Sequence, residues 1–375
     1  MPQAQVNRAR VIATRCLRAC YRPLGIVAGN HHFTDYWARD GYFAAFGALA
    51  LGDVDVVTKM TDLFFSHQRE DGLIPYRIMR GPVTLSKYLG KPTYFSIPKP
   101  TYRLRGFGPE VLDGTTLTVL FAALTNQHKY LPKIKQSLQY LESREKHGLL
   151  WDGPMSEWND VVYKWGNLLY SNVLYWYMYD QLALWFSSHD STWATQLREK
   201  RDEIASSLRD RLWNGKYFSD WHDYKRQDYL YPFGNSLAVI WGLTTQEETI
   251  SILQETEKLR VAFTLETNAP RYPWWRIDVL QRILGMADYQ NQGILWWQPV
   301  TAHAMALKKS GDVSLATSHL GTVANKIVQD QIIHESYERD GTPVERWLYR
   351  SERPFAWGSG MLVWALGYNT EHDEQ

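Results

Sequence analysis

The chain of 375 residues contains two cysteines, too few for a disulfide framework or a thiolate zinc cluster. It also lacks net charge. Lys+Arg is 41 and Asp+Glu is 40, leaving +1, so there is no cationic excess to hold phosphate backbones and no nucleic-acid partner is expected. No apolar run reaches the roughly 18 residues of a membrane span, and no signal-peptide core stands near the N-terminus. No Pro/Gly/Ser-rich linker divides the sequence. His31, His32, His222 and His303 raise a metal or proton-transfer reading, but His32 falls in no recognised metal-ligand spacing and His303, in a charge-free segment, reads as a core histidine. Disorder is excluded by composition: 45% of residues are hydrophobic and 22% charged. No acid precedes Asp35, whereas Arg8, Arg10, Arg15, Arg18 and Arg22 do. Ala9, Ile12, Ala13, Cys16, Leu17 and Cys20 form an apolar stripe through this stretch, so it reads as a surface helix with buried thiols rather than a transit segment. A cytoplasmic location is expected.

What the chain has in excess is aromatic: 17 Trp, 23 Tyr and 13 Phe. Leu and Ile fill a core more simply. So many amphipathic rings predict concave surfaces that stack on something flat with polar edges.

Six segments of helical length carry no charge: Gly41–Gly52, Gly114–Gln127, Trp165–Tyr179, Phe233–Thr244, Gly293–Leu307 and Ala356–Thr370. Helices apolar all round are buried. One-sided, charged segments alternate with them at 53–68, 131–145, 191–212, 245–259 and 312–334, and the N-terminal helix makes a sixth. Six αα-hairpins, with buried helices inside amphipathic ones, predict an all-α fold, an (α/α)6 barrel in a single domain spanning 1–375. Gly and Pro punctuate 71–112, 214–232 and 264–292, which read as loops over one mouth. The second of these is expected to form a small hairpin or an extended loop.

Polar and aromatic residues collect just before the buried segments: Tyr36, Trp37, Arg39 and Asp40 before the first, Asp113 at the second, Glu157, Trp158 and Asp160 before the third. Trp296 and Gln298 open the fifth, and Trp357 opens the sixth after Glu335 and Tyr337. If the inner helices run parallel, these ends share one rim. Asp113 also suits a helix cap. Carboxylates between indole walls are what sugar chemistry needs. Glycosidic cleavage uses one carboxyl as proton donor and a second as base or nucleophile.

At these residues the sequence resembles the inverting helical-barrel glycoside hydrolases, such as neutral/alkaline invertases and the amylo-α-1,6-glucosidase domain of glycogen debranching enzymes. WARDG at 37–41, QREDGLIP at 68–75 and LDGTTLTVLFA at 112–122 are similar to their sugar-subsite elements. HESYERDG at 334–341 and FAWGSG at 355–360 are similar to their base-bearing stretch and following helix. The invertases place their donor 17 residues before a Tyr ending a Leu-Phe-Tyr triplet, and Asp160 stands 17 before Tyr177, which ends Tyr175-Trp176-Tyr177. The resemblance therefore implies Asp160 as general acid and Glu335 as general base. It implies Gln68 and Asp71, with the rim residues above, as substrate-binding groups. The sequence departs from invertases at Val161–Lys164 and at Ser171, which weakens a sucrose-specific reading. Glu157 rivals Asp160; Glu338 and Glu345 rival Glu335.

The expected activity is inverting hydrolysis of an α-glucosidic bond in an oligosaccharide or small glucoside, with a carbohydrate as the partner and neither cofactor nor metal. Two alternatives stand beside it. A sugar 2-epimerase on a similar barrel would need His303 and another histidine facing each other in the mouth. A non-catalytic carbohydrate-binding protein would use the same aromatic cleft.

Overall fold

The computed structural model describes residues 3–82, 93–347 and 349–368. Within the predicted segments, 83–92 of the first mouth loop and 369–370 of the last helix lie outside them. The described chain is rich in helix. The buried helices are α2 (Ala38–Ala50), α4 (Asp113–Leu124), α6 (Leu169–Phe186), α8 (Pro232–Ile240), α10 (Trp297–Lys309) and α12 (Ala356–Gly367). Their amphipathic companions are α1 (Gln3–Arg18), α3 (Val54–Ser66), α5 (Leu131–Glu142), α7 (Ser191–Leu212), α9 (Gln246–Glu257) and α11 (Val313–Asp330). The six buried and six amphipathic helices alternate as charge periodicity predicts, and five consecutive pairs pack as hairpins. No described helix is long and apolar enough to cross a membrane.

The buried helices pack in cyclic order: α2 on α4, α4 on α6, α6 on α8, α8 on α10, α10 on α12, and α12 back on α2. Each amphipathic helix packs on its hairpin partner, and α1 covers α12. The predicted stripe of α1, from Ala9 to Leu17, is buried. Cys16 and Cys20 are free buried thiols.

The two helix sets start differently. Asp190 and Asp312 cap α7 and α11 through the Trp193 and Leu315 amides, and Thr245 with Glu248 forms a reciprocal capping box on α9. Inner helices have no side-chain cap: the residue before each is Trp37, Leu112, Leu168, Tyr231, Trp296 or Phe355. Asp113 is accordingly not a cap; it is the first residue of α4, and its carboxylate goes to Arg39.

Two helix boundaries differ from the sequence reading, which makes residues 165–168 and 293–296 helical. Instead Asn167–Leu168 pairs with Ser219–His222, and Leu295–Trp296 pairs with Ser336–Tyr337. Gly166 and Gly293 sit at φ 106° and 119°. Those left-handed values break a helix and turn the chain into the strand. The expected hairpin in 214–232 is Ser219–His222 against Arg226–Leu230. In 71–112, Arg77–Met79 pairs with both Lys99–Thr101 and Tyr36–Trp37.

The closing contact between α12 and α2 is made by backbone. A Cβ on Gly360 would lie 2.3 Å from the Ala44 Cα, and one on Gly47 would lie 2.3 Å from the Gly360 carbonyl oxygen. No side chain fits there without separating the helices. Gly360→Ala is therefore expected to destabilise the protein by about 1–3 kcal/mol through overpacking. An unchanged urea unfolding midpoint would contradict a tight closure.

Candidate active site

The ends of α2, α10 and α12 and the loops preceding them surround a cavity of about 530 Å³. Trp37, Arg39 and Asp40 reach it from the start of α2, and Trp158, Asp160 and Val161 from the loop before α6. Tyr289, Gln290 and Trp296 come from the segment before α10, and Glu335, Tyr349 and Trp357 from the segment around the start of α12. Its walls are indoles packed edge to face. The Trp158 ring centre is 5.7 Å from Trp296 and 5.9 Å from Trp357. Opposite them, the Arg77 guanidinium lies 4.4 Å from the Trp37 ring centre. Such a lining offers flat apolar faces with carboxylates and guanidinium groups between them.

Glu335 is held from all sides. Tyr289 donates its hydroxyl to Oε1 at 2.5 Å, Tyr349 donates to Oε2, and the Glu352 amide donates to Oε2 at 3.2 Å. The Glu335 amide in turn donates to the Glu352 carbonyl at 2.9 Å. Burial pushes the Glu335 carboxyl up to about 7, against the downward pull of the two tyrosines. Burial likewise raises Asp160 to about 6 and Asp40 to about 7, each opposed by Arg39. These carboxyls titrate near neutrality, where a proton can be given or taken.

The loop carrying Asp160 is fixed from behind. Gln290 donates to the Trp158 carbonyl at 2.7 Å and accepts from the Val161 amide at 3.3 Å. Tyr289 and Gln290 are neighbours in sequence, so one dipeptide grips both Glu335 and the Asp160 loop. Deeper still, Lys164 is wholly buried between Glu157 and Asp220, 2.9 Å from Asp220 Oδ1, and Tyr272 donates to Asp220 at 2.5 Å. Glu157 is thus committed to an internal ion pair and does not line the cavity.

Of the residues singled out from sequence, Trp37, Arg39, Asp40, Trp158, Asp160, Trp296, Glu335 and Trp357 share the cavity. Asp113 stands behind it, accepting from Arg39 Nε at 2.5 Å. The others lie off the lining. Tyr36 is buried in the strand paired with Ile78. Gln68 ties its loop to Ser137 and the Lys133 carbonyl, both at 2.8 Å. Asp71 pairs with Arg69. Gln298 is buried in the first turn of α10. Tyr337 packs between Phe263 and Trp297. Glu338 is bound by Arg346, and Glu345 by Arg350. His303 is buried at the far side of α10, 3.1 Å from Glu257, which also takes His319 at 2.7 Å. Among the described histidines His32 alone lines the cavity.

Sequence reading missed Tyr289, Gln290, Tyr349 and Glu352. Glu352 carries the largest burden. Its buried carboxylate accepts from the His31, His32 and Phe33 amides at 2.8 Å each and from the Asn30 amide at 3.2 Å. It thereby pins loop 30–33 beside the cavity and adjoins Glu335. No spacing signal marked any of the four.

No family model and no curated protein matches the chain. Solved structures do match its fold. It superposes on a GH63 mannosylglycerate hydrolase from Thermus thermophilus in complex with Tris, with a TM-score of 0.68 at 14% identity, covering 95% of this chain and 99% of that one. A rhamnosidase from Klebsiella oxytoca with rhamnose bound gives 0.68 at 13% identity, covering 97% and 64%. A glycosidase in complex with glucose gives 0.66 at 14% identity, covering 98% of each chain. These neighbours fit the helical-barrel glycoside hydrolase resemblance seen in the sequence.

Glu352→Ala removes the acceptor for the four amides of residues 30–33 and for the Arg353 amide. We expect a loss of at least about 2 kcal/mol and faster hydrogen exchange at residues 30–33. Native-like protection of those amides would show that Glu352 does not hold the loop.

Proposed function

We propose that the protein is an inverting glycoside hydrolase, a single (α/α)6-barrel catalytic domain that cleaves an α-glucosidic bond. The observation that carries this reading is the joint presence of Asp160 and Glu335 on one indole-walled cavity, both raised toward neutrality by burial. The glycosidase neighbours of the fold support it.

In this reading the glycosyl unit stacks on the Trp37, Trp158, Trp296 and Trp357 walls, and Arg39 and Asp40 clamp its hydroxyls. Asp160 passes its carboxyl proton to the glycosidic oxygen as the bond to the anomeric carbon breaks. Glu335 takes a proton from a water whose oxygen bonds that carbon from the opposite face. Tyr289 and Tyr349 orient the base. Asp113 orients Arg39, and Gln290 keeps the donor loop in place. Two-histidine epimerisation has less support, because His303 is turned toward Glu257 and away from the cavity. Pure binding has less support too, since burying two carboxyls around a sugar is costly where no proton moves.

The working form holds a proton on Asp160 and none on Glu335. With carboxyls near 6 and 7, falling pH protonates the base and rising pH ionises the acid. kcat/KM should follow a bell with limbs near those values and a maximum around pH 6.5. The donor loses its proton before the base does, so the productive form is a minority of the free enzyme. A flat profile from pH 5 to 8 would argue against this pair.

Wild-type protein is to be incubated with sucrose, isomaltose, maltotriose, trehalose and glucosylglycerate, following the anomeric proton by NMR. We expect β-glucose to form first from at least one of them. Asp160→Asn and Glu335→Gln should each lower kcat by at least about 100-fold with the fold intact. Initial release of α-glucose would overturn inversion, and near-normal turnover by either variant would overturn its role.

A further inference from the structure

A second cavity, of about 720 Å³, adjoins the first and shares His32, Phe33, Trp37, Tyr76, Arg77 and Arg105 with it as common wall. Its remaining walls come from the Arg77–Met79 and Lys99–Thr101 strands and the turn after them. Arg69, Arg77, Arg103 and Arg105 line it, and no carboxylate among the described residues does.

Each arginine has an acidic partner outside the lining. Arg69 pairs with Asp71 and Glu110, and Arg77 with Asp35. Arg103 lies 3.5 Å from Glu110, and Arg105 lies 2.6 Å from Asp278. The ion pairs are therefore oriented, with guanidinium groups toward the cavity and carboxylates away from it. Their charges nearly cancel at a distance. Inside the cavity the nearer charge dominates, so the potential there is positive. A guanidinium carries five N–H donors in a planar fork, and a carboxylate acceptor on one edge leaves other donors to meet a second planar oxyanion. Here one donor of Arg105 goes to Asp278.

We propose that this second cavity is the leaving-group subsite and that it takes an anionic sugar, so that the substrate class is an acidic oligosaccharide bearing a carboxylate or phosphate on the unit beyond the scissile bond. The proposal rests on the glycosidase reading and deepens it. The first cavity supplies Asp160 and Glu335 for the glycosyl unit, and the shared wall of Trp37, Arg77 and Arg105 is where the bond crosses. Guanidinium groups alone, without an opposing carboxylate on the lining, favour an oxyanion over a neutral polyol, whose hydroxyls also need acceptors.

The test uses Asp160→Asn protein, which separates binding from turnover. It is titrated calorimetrically with maltose, with the same disaccharide carrying a carboxylate at C6 of its reducing unit, and with the corresponding 6-phosphate. Charge-assisted hydrogen bonds are roughly twice as strong as neutral ones, so we expect at least tenfold tighter binding of one charged disaccharide at low salt. The preferred anion names the source. The preference should shrink in high salt and collapse when Arg103→Gln and Arg105→Gln are added. Both side chains are about half exposed, at 53% and 44%, so the fold should tolerate the pair of changes. Circular dichroism and the melting temperature check this. Equal binding of all three, binding of none, or a preference that survives the arginine changes would overturn the proposal. Wild-type turnover is read separately. Hydrolysis without charge preference leaves the glycosidase reading standing and sinks the anionic subsite. Charge-selective binding without hydrolysis of any substrate does the reverse.

Discussion

The fold depends on the contact that closes the helix ring, where the last buried helix meets the first at backbone distance through Gly47 and Gly360. Closure brings the segments that precede the first and last buried helices together at the mouth. The Ala356 amide donates to the Ala28 carbonyl at 2.9 Å, and Gly29 bridges Phe355. Everything the C-terminal segment contributes, from Glu335 to Trp357, is placed against residues 28–40 by that closure. A looser ring would separate the indoles of Trp37 and Trp357 and draw Glu352 away from the amides it holds.

The mouth is unusual in how many charges it removes from water. Lys164 is buried with Glu157 and Asp220, Arg39 with Asp113, and Glu352 with a loop of backbone amides. Each arrangement supplies the partner that desolvation demands, because an unpaired charge in such a place would cost several kcal/mol. Glu157 would be such a charge without Lys164. Of the buried carboxyls outside these pairs, Asp40, Asp160 and Glu335 face the cavity, and burial raises each of them; Asp152, raised by burial to about 8, lies off the lining. The internal pairs and the raised carboxyls are two responses to the same desolvation. One yields rigidity, and the other keeps groups whose protonation changes near neutral pH.

The helices divide the labour. Three of the amphipathic helices, α7, α9 and α11, carry capping side chains. The buried ones begin without caps, each after an apolar or aromatic residue, and the extended pairs at Tyr36–Trp37, Asn167–Leu168 and Leu295–Trp296 deliver three of them to the rim. This frees the polar residues at the rim for contacts across the mouth, of which the Arg39–Asp113 pair is the plainest case.

The twelve helices were legible in the sequence because burial leaves a direct mark: a helix surrounded by helices carries no charge, and one with a wet face carries charge at helical spacing. Trp37, Arg39, Asp40, Trp158, Asp160, Trp296, Glu335 and Trp357 were legible for a related reason. They stand just before buried segments or in short motifs, so a rule about helix ends finds them. Tertiary structure alone decided the rest. Tyr289 reaches Glu335 across 46 residues and Gln290 reaches the Trp158 carbonyl across 132, and no local pattern encodes contacts of that span. It also withdrew Glu157 into an internal ion pair with Lys164, and Tyr337 into the core, although both sit in the same segments as the residues that face the cavity. Sequence sets which stretches are buried. Which side of a loop faces the mouth is set by partners far away in the chain.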